Sequence, residues 1–269
     1  MVEIFDNIRE IYEFEPPGEE LKNYIEFFSE TSLAASSRLI QTEQFSVKMF
    51  SSWTPTFWIN LGASYQLDLG QTRYLIQQGK DILLLRNGTV TRYNQANDHI
   101  FSIKFFPGGL EAILNINQTS FIDQIIALDQ IIPPELIHKI KHAGSFVERM
   151  DLLQTYFLLQ FQKRKQKDHY LKLVQDLIET YNTEELRLNT SELAEKTFVS
   201  TKSINRYFHR VVGVSPKKYF ATLRARTALN AFVQAQKHFN PEEYGYYDMS
   251  HFYKAVVGFT GQRMLEHKR

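Results

Sequence analysis

One capped-helix pattern occurs twice in this chain, and the two copies are 48 residues apart. Each copy begins with a side chain that can accept a hydrogen bond, continues with two buried apolar positions and a cation, and ends on a glycine. The corresponding positions are Ser200 and Asp248, Ile204 and Phe252, Arg206 and Lys254, Phe208 and Val256, and Gly213 and Gly261. The C-terminal part of the chain is therefore predicted to form two similar helical units.

A long helix is predicted between the two units. Ser215 is a candidate cap, Pro216 suits the first helical position, and the helix is expected to continue to about Gln236. A stiff spacer of this kind holds two helix-turn-helix units at one separation. Such units can enter successive major grooves, which repeat about every 34 Å along B-DNA.

The outward faces of the two repeated helices carry the candidate DNA-binding side chains. Arginine pairs with guanine and asparagine with adenine in the major groove, whereas other cations hold phosphates. Candidate base contacts in the first helix are Lys202, Ser203, Asn205 and Arg206, and in the second Met249, Ser250, Tyr253 and Lys254. Candidate phosphate contacts are Arg210, Lys217, Lys218 and Arg224. For the first helix alone, an ordinary solvated face is an equal alternative.

From about Asp168 to Arg269 the sequence resembles the AraC/XylS family of bacterial transcription regulators. The matching residues are Ser200, Ile204, Arg206, Phe208, Gly213, Pro216, Tyr219, Arg224, Ala228, Leu229, Gly245, Asp248 and Phe252. The resemblance implies seven helices in two helix-turn-helix units, with double-stranded DNA and RNA polymerase as partners. Residues 240–243 replace the usual apolar scaffold helix, and Arg263 stands where proline is common. The supporting helix of the second unit is therefore expected to be short.

The charge of the chain is unevenly distributed. The net charge is +1, but from Lys196 onward 13 Lys and Arg face four Asp and Glu, a net of +9. The preceding residues carry a net of −8. A basic C-terminal segment is typical of a protein that binds the phosphate backbone, although the charge can also be spread over all sides. At 269 residues and 43% hydrophobic, the chain is long enough for two domains.

Between residues 21 and 106 the sequence shows short alternating runs separated by turn residues. This pattern predicts an antiparallel β-barrel of the cupin-like kind. Asn87 and Gly88 predict a hairpin between residues 82–85 and residues 90–93. Residues 1–20 are interpreted as either a loose arm or an edge strand.

After Gly109 the period becomes helical, with helices expected at Leu110 to Leu114, around Phe121 to Leu128, and around Leu136 to Ile140. A longer helix over residues 146–161 either packs on the core or forms a homodimer contact, as in AraC-like proteins. Residues 101–110 and residues 149–153 also resemble an uncharacterised sensor-like domain that is found before AraC-type DNA-binding domains. The fold class is therefore α+β, with domains at residues 1–165 and 166–269. A closing helix is expected over residues 262–267.

Enzymatic motifs are scarce. There is no cysteine, so disulfides, thiolate metal sites and cysteine nucleophiles are excluded. His138 and His142 are spaced for a shared metal, but no third ligand is evident. Residues 107–109 read as a turn and not as a phosphate loop, because no Lys-Ser/Thr follows. We expect no enzyme activity, metal or cofactor, and the lack of a signal or membrane span predicts a cytoplasmic protein.

Trp53 and Trp58 are candidates for lining a ligand pocket, although aromatic residues on strands more often belong to the core. If these side chains line a pocket, we expect a small-molecule effector to bind in the N-terminal domain. The leading hypothesis is a sequence-specific DNA-binding transcription regulator of the AraC type. The alternative is a small-molecule-binding or interaction protein whose DNA-binding domain is degenerate.

Overall fold

The computed structural model describes residues 11–32, 45–94, 97–164, 168–235 and 238–261. Within these ranges the N-terminal half contains strands β1 Tyr12–Glu15, β2 Ile25–Thr31, β3 Phe45–Met49, β4 Pro55–Asn60, β5 Tyr65–Leu69, β6 Thr72–Ile76, β7 Ile82–Leu85, β8 Val90–Asn94, β9 Ile100–Phe105 and β10 Ile125–Ala127. They form a six-stranded sheet in the order β1-β2-β9-β4-β7-β10 and a four-stranded sheet in the order β3-β8-β5-β6. All pairings between them are antiparallel.

The antiparallel β prediction is confirmed, but the strands form two stacked sheets and not a closed barrel. Along the described strands, no ladder joins one sheet to the other. Val47, Leu67 and Val90 of the smaller sheet instead pack in one apolar cluster with Trp58 and Leu84 of the larger sheet. Alternation predicts which side chains share a face, whereas strand partners depend on contacts distant in sequence.

The hairpin predicted at Asn87 and Gly88 is wrong. Strand β7 pairs with β4 and β10, whereas β8 pairs with β3 and β5, so this turn carries the chain from one sheet to the other. All four residues of β7 are buried, which favours apolar strands as its neighbours. A two-residue hairpin does occur between β5 and β6, where Gly70 has a φ of 61°.

The larger sheet is covered on both faces. Its other face packs on helices α1 Gly109–Leu114, α2 Pro134–His142 and α3 Phe146–Lys163. There the ring centroids of Phe57 and Phe105 are 4.9 Å apart, and Phe157 of α3 lies 5.6 Å from Phe105. The predicted core-packing role of the long helix is therefore present. Because both faces are covered, even Ser102 and Lys104 of β9 are buried.

One further N-terminal prediction is wrong, and the structure decides between the two alternatives left open for residues 1–20. The helix expected around Phe121 to Leu128 is replaced by a 3-10 turn Gln118–Phe121, the strand β10 and a second 3-10 turn Leu128–Gln130. Residues 125–127 complete the hydrogen bonds at the edge of β7, and this tertiary pairing outweighs the helical spacing. At the start of the chain, the edge-strand alternative is confirmed by β1, which pairs with the unpredicted strand β2.

The C-terminal segment contains helices α4 His169–Thr183, α5 Thr190–Thr197, α6 Thr201–Val211, α7 Pro216–Ala235 and α8 Met249–Thr260. A 3-10 turn, Pro241–Tyr244, supports α8 where the family has a scaffold helix, as expected. No helix among the described residues is long and apolar enough to span a bilayer. The closing helix over residues 262–267 and Arg263 lie outside the described residues, as do residues 165–167 at the predicted domain boundary.

The repeat is confirmed in three dimensions. The side chains of Ser200 and Asp248 cap α6 and α8 by accepting from the third backbone N–H of each helix. Ile204, Phe208, Phe252 and Val256 are fully buried. Gly213 and Gly261 have φ values of 90° and 68°, which side-chain-bearing residues rarely adopt.

Gln118 joins the two halves of the molecule. Its side chain is buried, and its Oε1 accepts from the Gly108 N–H at 2.9 Å. Its Nε2 donates to the carbonyl oxygens of Trp53 and Val212, each at 3.0 Å. The first helix-turn-helix unit therefore packs directly against the β part through a satisfied polar contact.

Gln118→Leu should remove these three hydrogen bonds and leave buried backbone groups without partners. We expect the free energy of unfolding to fall by about 2–4 kcal/mol. Ser120→Ala, an exposed change in the same 3-10 turn, is the matched control. Urea denaturation followed by circular dichroism measures both, and equal stability of the two variants would contradict the role assigned to Gln118.

Candidate nucleic-acid interface

Helix α6 presents a polar face opposite its buried stripe. Ile204, Phe208 and Val211 are fully buried, which directs Lys202 and Arg206 to solvent. The N-terminal end of the helix is also accessible, because Ser200 and Lys202 are exposed. A helix whose first turns are exposed and carry cations can approach the edges of bases in the major groove.

The predicted base-contacting side chains of α6 are oriented by local contacts. The Arg206 guanidinium lies 4.6 Å from the Tyr207 ring centroid and donates to its hydroxyl at 2.8 Å. Asn205 Nδ2 donates to the Thr201 carbonyl at 2.9 Å. Ser203 is half-buried and its hydroxyl lies 3.0 Å from the hydroxyl of the cap Ser200. Arg206 and Asn205 are therefore the accessible candidates for base contacts, whereas Ser203 is partly used by the cap.

In α8, Ser250, Tyr253 and Lys254 are exposed and Met249 is half-buried. Met249 packs against the apolar cluster that contains Phe252, whereas the other three are the solvent-accessible members of the set. Tyr247, just before the helix, is 84% exposed. The second helix thus also presents an accessible face, but with fewer polar groups than α6.

The candidate phosphate contacts differ in their surroundings. Lys217 and Lys218 are exposed at the start of α7, and Lys218 Nζ lies 5.4 Å from the Trp53 ring. Arg224 is half-buried, with its guanidinium 5.3 Å from the Tyr246 ring. Lys217 is therefore the cation of this group with the freest approach to a phosphate.

Arg210 is held by the N-terminal half. Its guanidinium donates to both carboxylate oxygens of Glu111, at 2.7 and 3.2 Å. It also lies 5.0 Å from the Tyr170 ring, and Asn117 Nδ2 donates to its carbonyl at 2.9 Å. A two-point pair of this kind fixes the end of α6. Any contact of Arg210 with phosphate competes with Glu111.

The sequence did not single out Glu111, Asn117 or Gln118. The available signal was an acidic residue within the otherwise apolar α1, directly after the turn at Gly108. A carboxylate that is 3% exposed needs a partner, but its partner is 99 residues away in sequence. Sequence spacing alone could not supply that pairing.

Tyr170 contacts both members of the ion pair between Arg210 and Glu111. Its hydroxyl donates to Glu111 Oε1 at 3.0 Å. Partial burial and, after it, the hydrogen bond to the Glu111 carboxylate together raise the pKa of Tyr170 to about 12. The neutral phenol is thus the form that the folded protein favours.

Trp53 and Trp58 belong to buried apolar clusters, and each also lines a cavity. Trp53 borders a cavity of about 120 Å³ between the sheets and helices α4 and α7, together with Glu26, Lys104 and Arg226. Trp58 borders a cavity of about 40 Å³ between the two sheets. Both readings of these tryptophans, core and pocket, therefore have structural support.

Buried cations surround these cavities. Lys104 pairs with Glu26 at 3.0 Å, and Arg92 pairs with Asp98 at 3.4 Å. Burial alone would raise the pKa of Glu26, but the nearby positive charge, chiefly of Lys104, lowers it below the ordinary value. The Glu26 carboxylate is therefore ionised at neutral pH.

The histidine pair has no third ligand nearby among the residues that the structure describes. His138 and His142 stack with ring centroids 4.1 Å apart on the exposed side of α2. His142 Nδ1 also lies 2.8 Å from the His138 carbonyl. In the part of the chain that the structure describes, no three His, Asp or Glu residues are grouped as metal ligands.

Fold and interface together define a chain with a two-sheet β part, covering helices and a pair of helix-turn-helix units. The sequence matches no protein-family model and no curated protein. Among solved structures the chain is similar to ToxT from Vibrio cholerae, with a TM-score of 0.47 and 10% identity, over 84% of this chain and 97% of that chain.

Two more solved structures are similar over most of their length. A ToxT structure described as bound to unsaturated fatty acid has a TM-score of 0.46 and 10% identity, covering 84% of this chain and 95% of that chain. The AraC-like transcriptional activator CuxR has a TM-score of 0.33 and 10% identity, covering 85% and 89%.

The raised pKa of Tyr170 predicts a loss of stability in alkaline solution. The folded-state pKa exceeds the unfolded value of about 10, so the stabilisation is complete below pH 10 and is lost as the pH rises through about 12. Tyr170→Phe should make the loss of stability between pH 10 and 12 shallower. Chemical denaturation at stepped pH measures this, with Tyr253→Phe as the exposed control. Equal slopes in the two variants would refute the prediction.

Proposed function

We propose that this protein is a sequence-specific DNA-binding transcription regulator of the AraC type. The observation that carries the proposal is the repeated unit, in which α6 and α8 have matching caps, buried stripes and accessible outer faces. Two such helices on either side of one long helix suit successive major grooves of a duplex. The basic charge of the segment from Lys196 onward supports binding to phosphates.

Different side chains have different tasks in this proposal. Arg206 and Asn205 supply base contacts from α6, with Lys202 beside them, because they are exposed at the accessible end of the helix. Lys217 supplies a phosphate contact. Residues 1–165 act as the sensor or dimerisation part, and residues 166–269 as the DNA-binding domain.

The contact between Glu111 and Arg210 supports a link between the two parts. Since Asn117, Gln118 and Glu111 all hold the C-terminal end of α6, a change in the β part would alter the presentation of that helix. The N-terminal half is thus positioned to influence DNA binding through the first unit directly.

Substitutions of Arg206 and Lys217 should affect DNA binding differently. Arg206→Ala should weaken the preferred site by about 1–3 kcal/mol and relax selectivity at one base pair. Lys217→Ala should weaken all sequences alike and reduce the salt dependence of binding. Fluorescence anisotropy with a selected duplex and a scrambled duplex, over a series of salt concentrations, measures both effects.

Lys172→Ala, an exposed change on α4, is the control for general loss of charge. If Arg206→Ala lowered the affinity for selected and scrambled duplexes equally, base reading by Arg206 would be excluded. If the wild-type chain did not distinguish the two duplexes at physiological salt, the degenerate alternative would replace the proposal.

A second function is favoured by the cavities: binding of a small apolar anion as an effector. The described side chains that line the smaller cavity include the cations Arg86, Arg92 and Lys104 and no carboxylate. Lys104 also lines the larger cavity, so one cation borders both spaces. Apolar residues such as Phe27 and Met49 complete the lining. A carboxylate with an apolar chain fits this combination of charge and surface.

Decanoate and its uncharged counterpart decanol distinguish charge recognition from simple apolar binding. Decanoate should raise the Tm in a concentration-dependent way, since a ligand that binds only the folded state stabilises it, and decanol should have a weaker effect. The double variant Glu26→Gln and Lys104→Gln should lose this difference without leaving an unpaired buried charge.

The control double variant is Glu19→Gln and Lys22→Gln, which removes an exposed ion pair. Equal shifts with decanoate and decanol would show that these cavities do not recognise an anion. A decanoate effect that survives loss of Lys104 would exclude Lys104 as the cation that holds the carboxylate.

A further inference from the structure

The two reading helices differ in chemistry at matching positions. Four outward positions of α6 correspond to α8 through the 48-residue repeat. The pairs are Lys202 and Ser250, Asn205 and Tyr253, Arg206 and Lys254, and His209 and Val257. One cation is kept, but an amide and an imidazole are replaced by an aromatic ring and an aliphatic side chain.

The replaced positions form an apolar ridge along the outer side of α8. Met249, Tyr253 and Val257 follow one another at intervals of four residues and therefore lie along one side of the helix. Tyr253 is 39% exposed and Val257 is 41% exposed. The helix already packs on its own domain through Phe252 and Val256, which are fully buried. Met249 also packs against that core, so Tyr253 and Val257 are the members of the ridge that remain exposed.

Large apolar side chains are rarely exposed elsewhere in the described chain. Of seven such residues, four lie on or immediately before the two reading helices. They are Phe198, Tyr247, Tyr253 and Val257. Gly258, on the same open side of α8, has no atom within 4 Å of where a Cβ would lie. Exposed apolar side chains therefore accompany both helices and are available for contact with a partner.

The ridge also carries features that favour DNA over a protein partner. Lys254 and Ser250 are exposed beside it, and Lys254 matches Arg206 of the polar helix. The capped N-terminal end at Asp248 is placed like that of α6. The ridge is apolar, is flanked by a cation, and lies on a helix that repeats α6. Such a helix face suits a partner surface that presents both phosphates and methyl groups.

We propose that α8 recognises thymine through its C5-methyl groups, with Tyr253 and Val257 as the contacting side chains. The thymine methyl is the apolar group that the base edges of the major groove present. This inference rests on the proposed DNA-binding function and adds the base that the second unit selects. The first unit reads mainly by hydrogen bonds, and the second reads by apolar contact.

Replacing thymine by deoxyuridine tests the proposal, because it removes the methyl group and keeps base pairing. Duplexes are first enriched from a random-sequence library with the full-length chain. Thymines of one half-site at a time are then replaced, and the Kd is measured by fluorescence anisotropy. In one half-site we expect the affinity to fall about fourfold for each contacted methyl. The other half-site should respond less.

Variants assign the sensitive half-site to α8. Val257→Ala and Tyr253→Ala should each reduce the difference between thymine and deoxyuridine. His209→Ala, at the matching position of α6, should leave that difference unchanged. Circular dichroism confirms that each variant is folded before binding is compared.

The outcomes separate this inference from the function on which it rests. If no duplex is enriched, the DNA-reading function itself fails. If duplexes are enriched but deoxyuridine changes neither half-site, or the sensitivity survives in both α8 variants, methyl reading by α8 is overturned. If the α8 variants instead abolish self-association in sedimentation while DNA binding is unchanged, the ridge is a protein contact and the proposal is likewise overturned.

Discussion

The packing of the C-terminal end of α6 against the turn after β9 is the contact on which the arrangement of the molecule depends. Val211 approaches Gly108 so closely that a Cβ there would lie 2.8 Å from its Cγ1. Gln118 then satisfies backbone groups from both halves, and Glu111 pairs with Arg210 at the rim. Apolar contact at the centre and charge pairing at the edge make this junction specific as well as stable. The first helix-turn-helix unit is therefore part of the same packed body as the β sheets.

The two helix-turn-helix units have matching caps and buried residues but different outer surfaces. Caps, buried stripes and terminal glycines match because each helix must begin, pack on its neighbours and end in the same way. The outer faces are free of that constraint, and they differ, with polar groups on α6 and an apolar ridge on α8. Among the residues described before α8, the second unit has the 3-10 turn at residues 241–244 in place of a full scaffold helix. Its stability thus depends more on the aromatic cluster of Phe232, Phe239 and Phe252.

Local signals in the sequence predicted most of the C-terminal half and less of the N-terminal half. Helix caps and 3.6-residue periodicity act over a few residues, so α6, α7 and α8 could be placed closely from the sequence. The strand partners could not be placed, and the turn at Asn87 shows why: a turn signal does not reveal whether the next strand stays in the same sheet. Similarly, alternation is typical of a strand with one solvated face, but helices and the second sheet cover both faces of β9. Buried polar residues such as Lys104 were missed for this reason.

The sequence by itself determined the repeated helical unit, the spacer helix, the basic C-terminal segment and the candidate residues for DNA contact. These follow from interactions between residues close together in the chain, whose energies are set by local backbone geometry and periodicity. Tertiary structure decided the two-sheet arrangement, the cavities beside Trp53 and Trp58, and the pairing of Arg210 with Glu111. Those depend on which distant segments exclude water together, and a buried charge must find its partner wherever the fold brings one within reach.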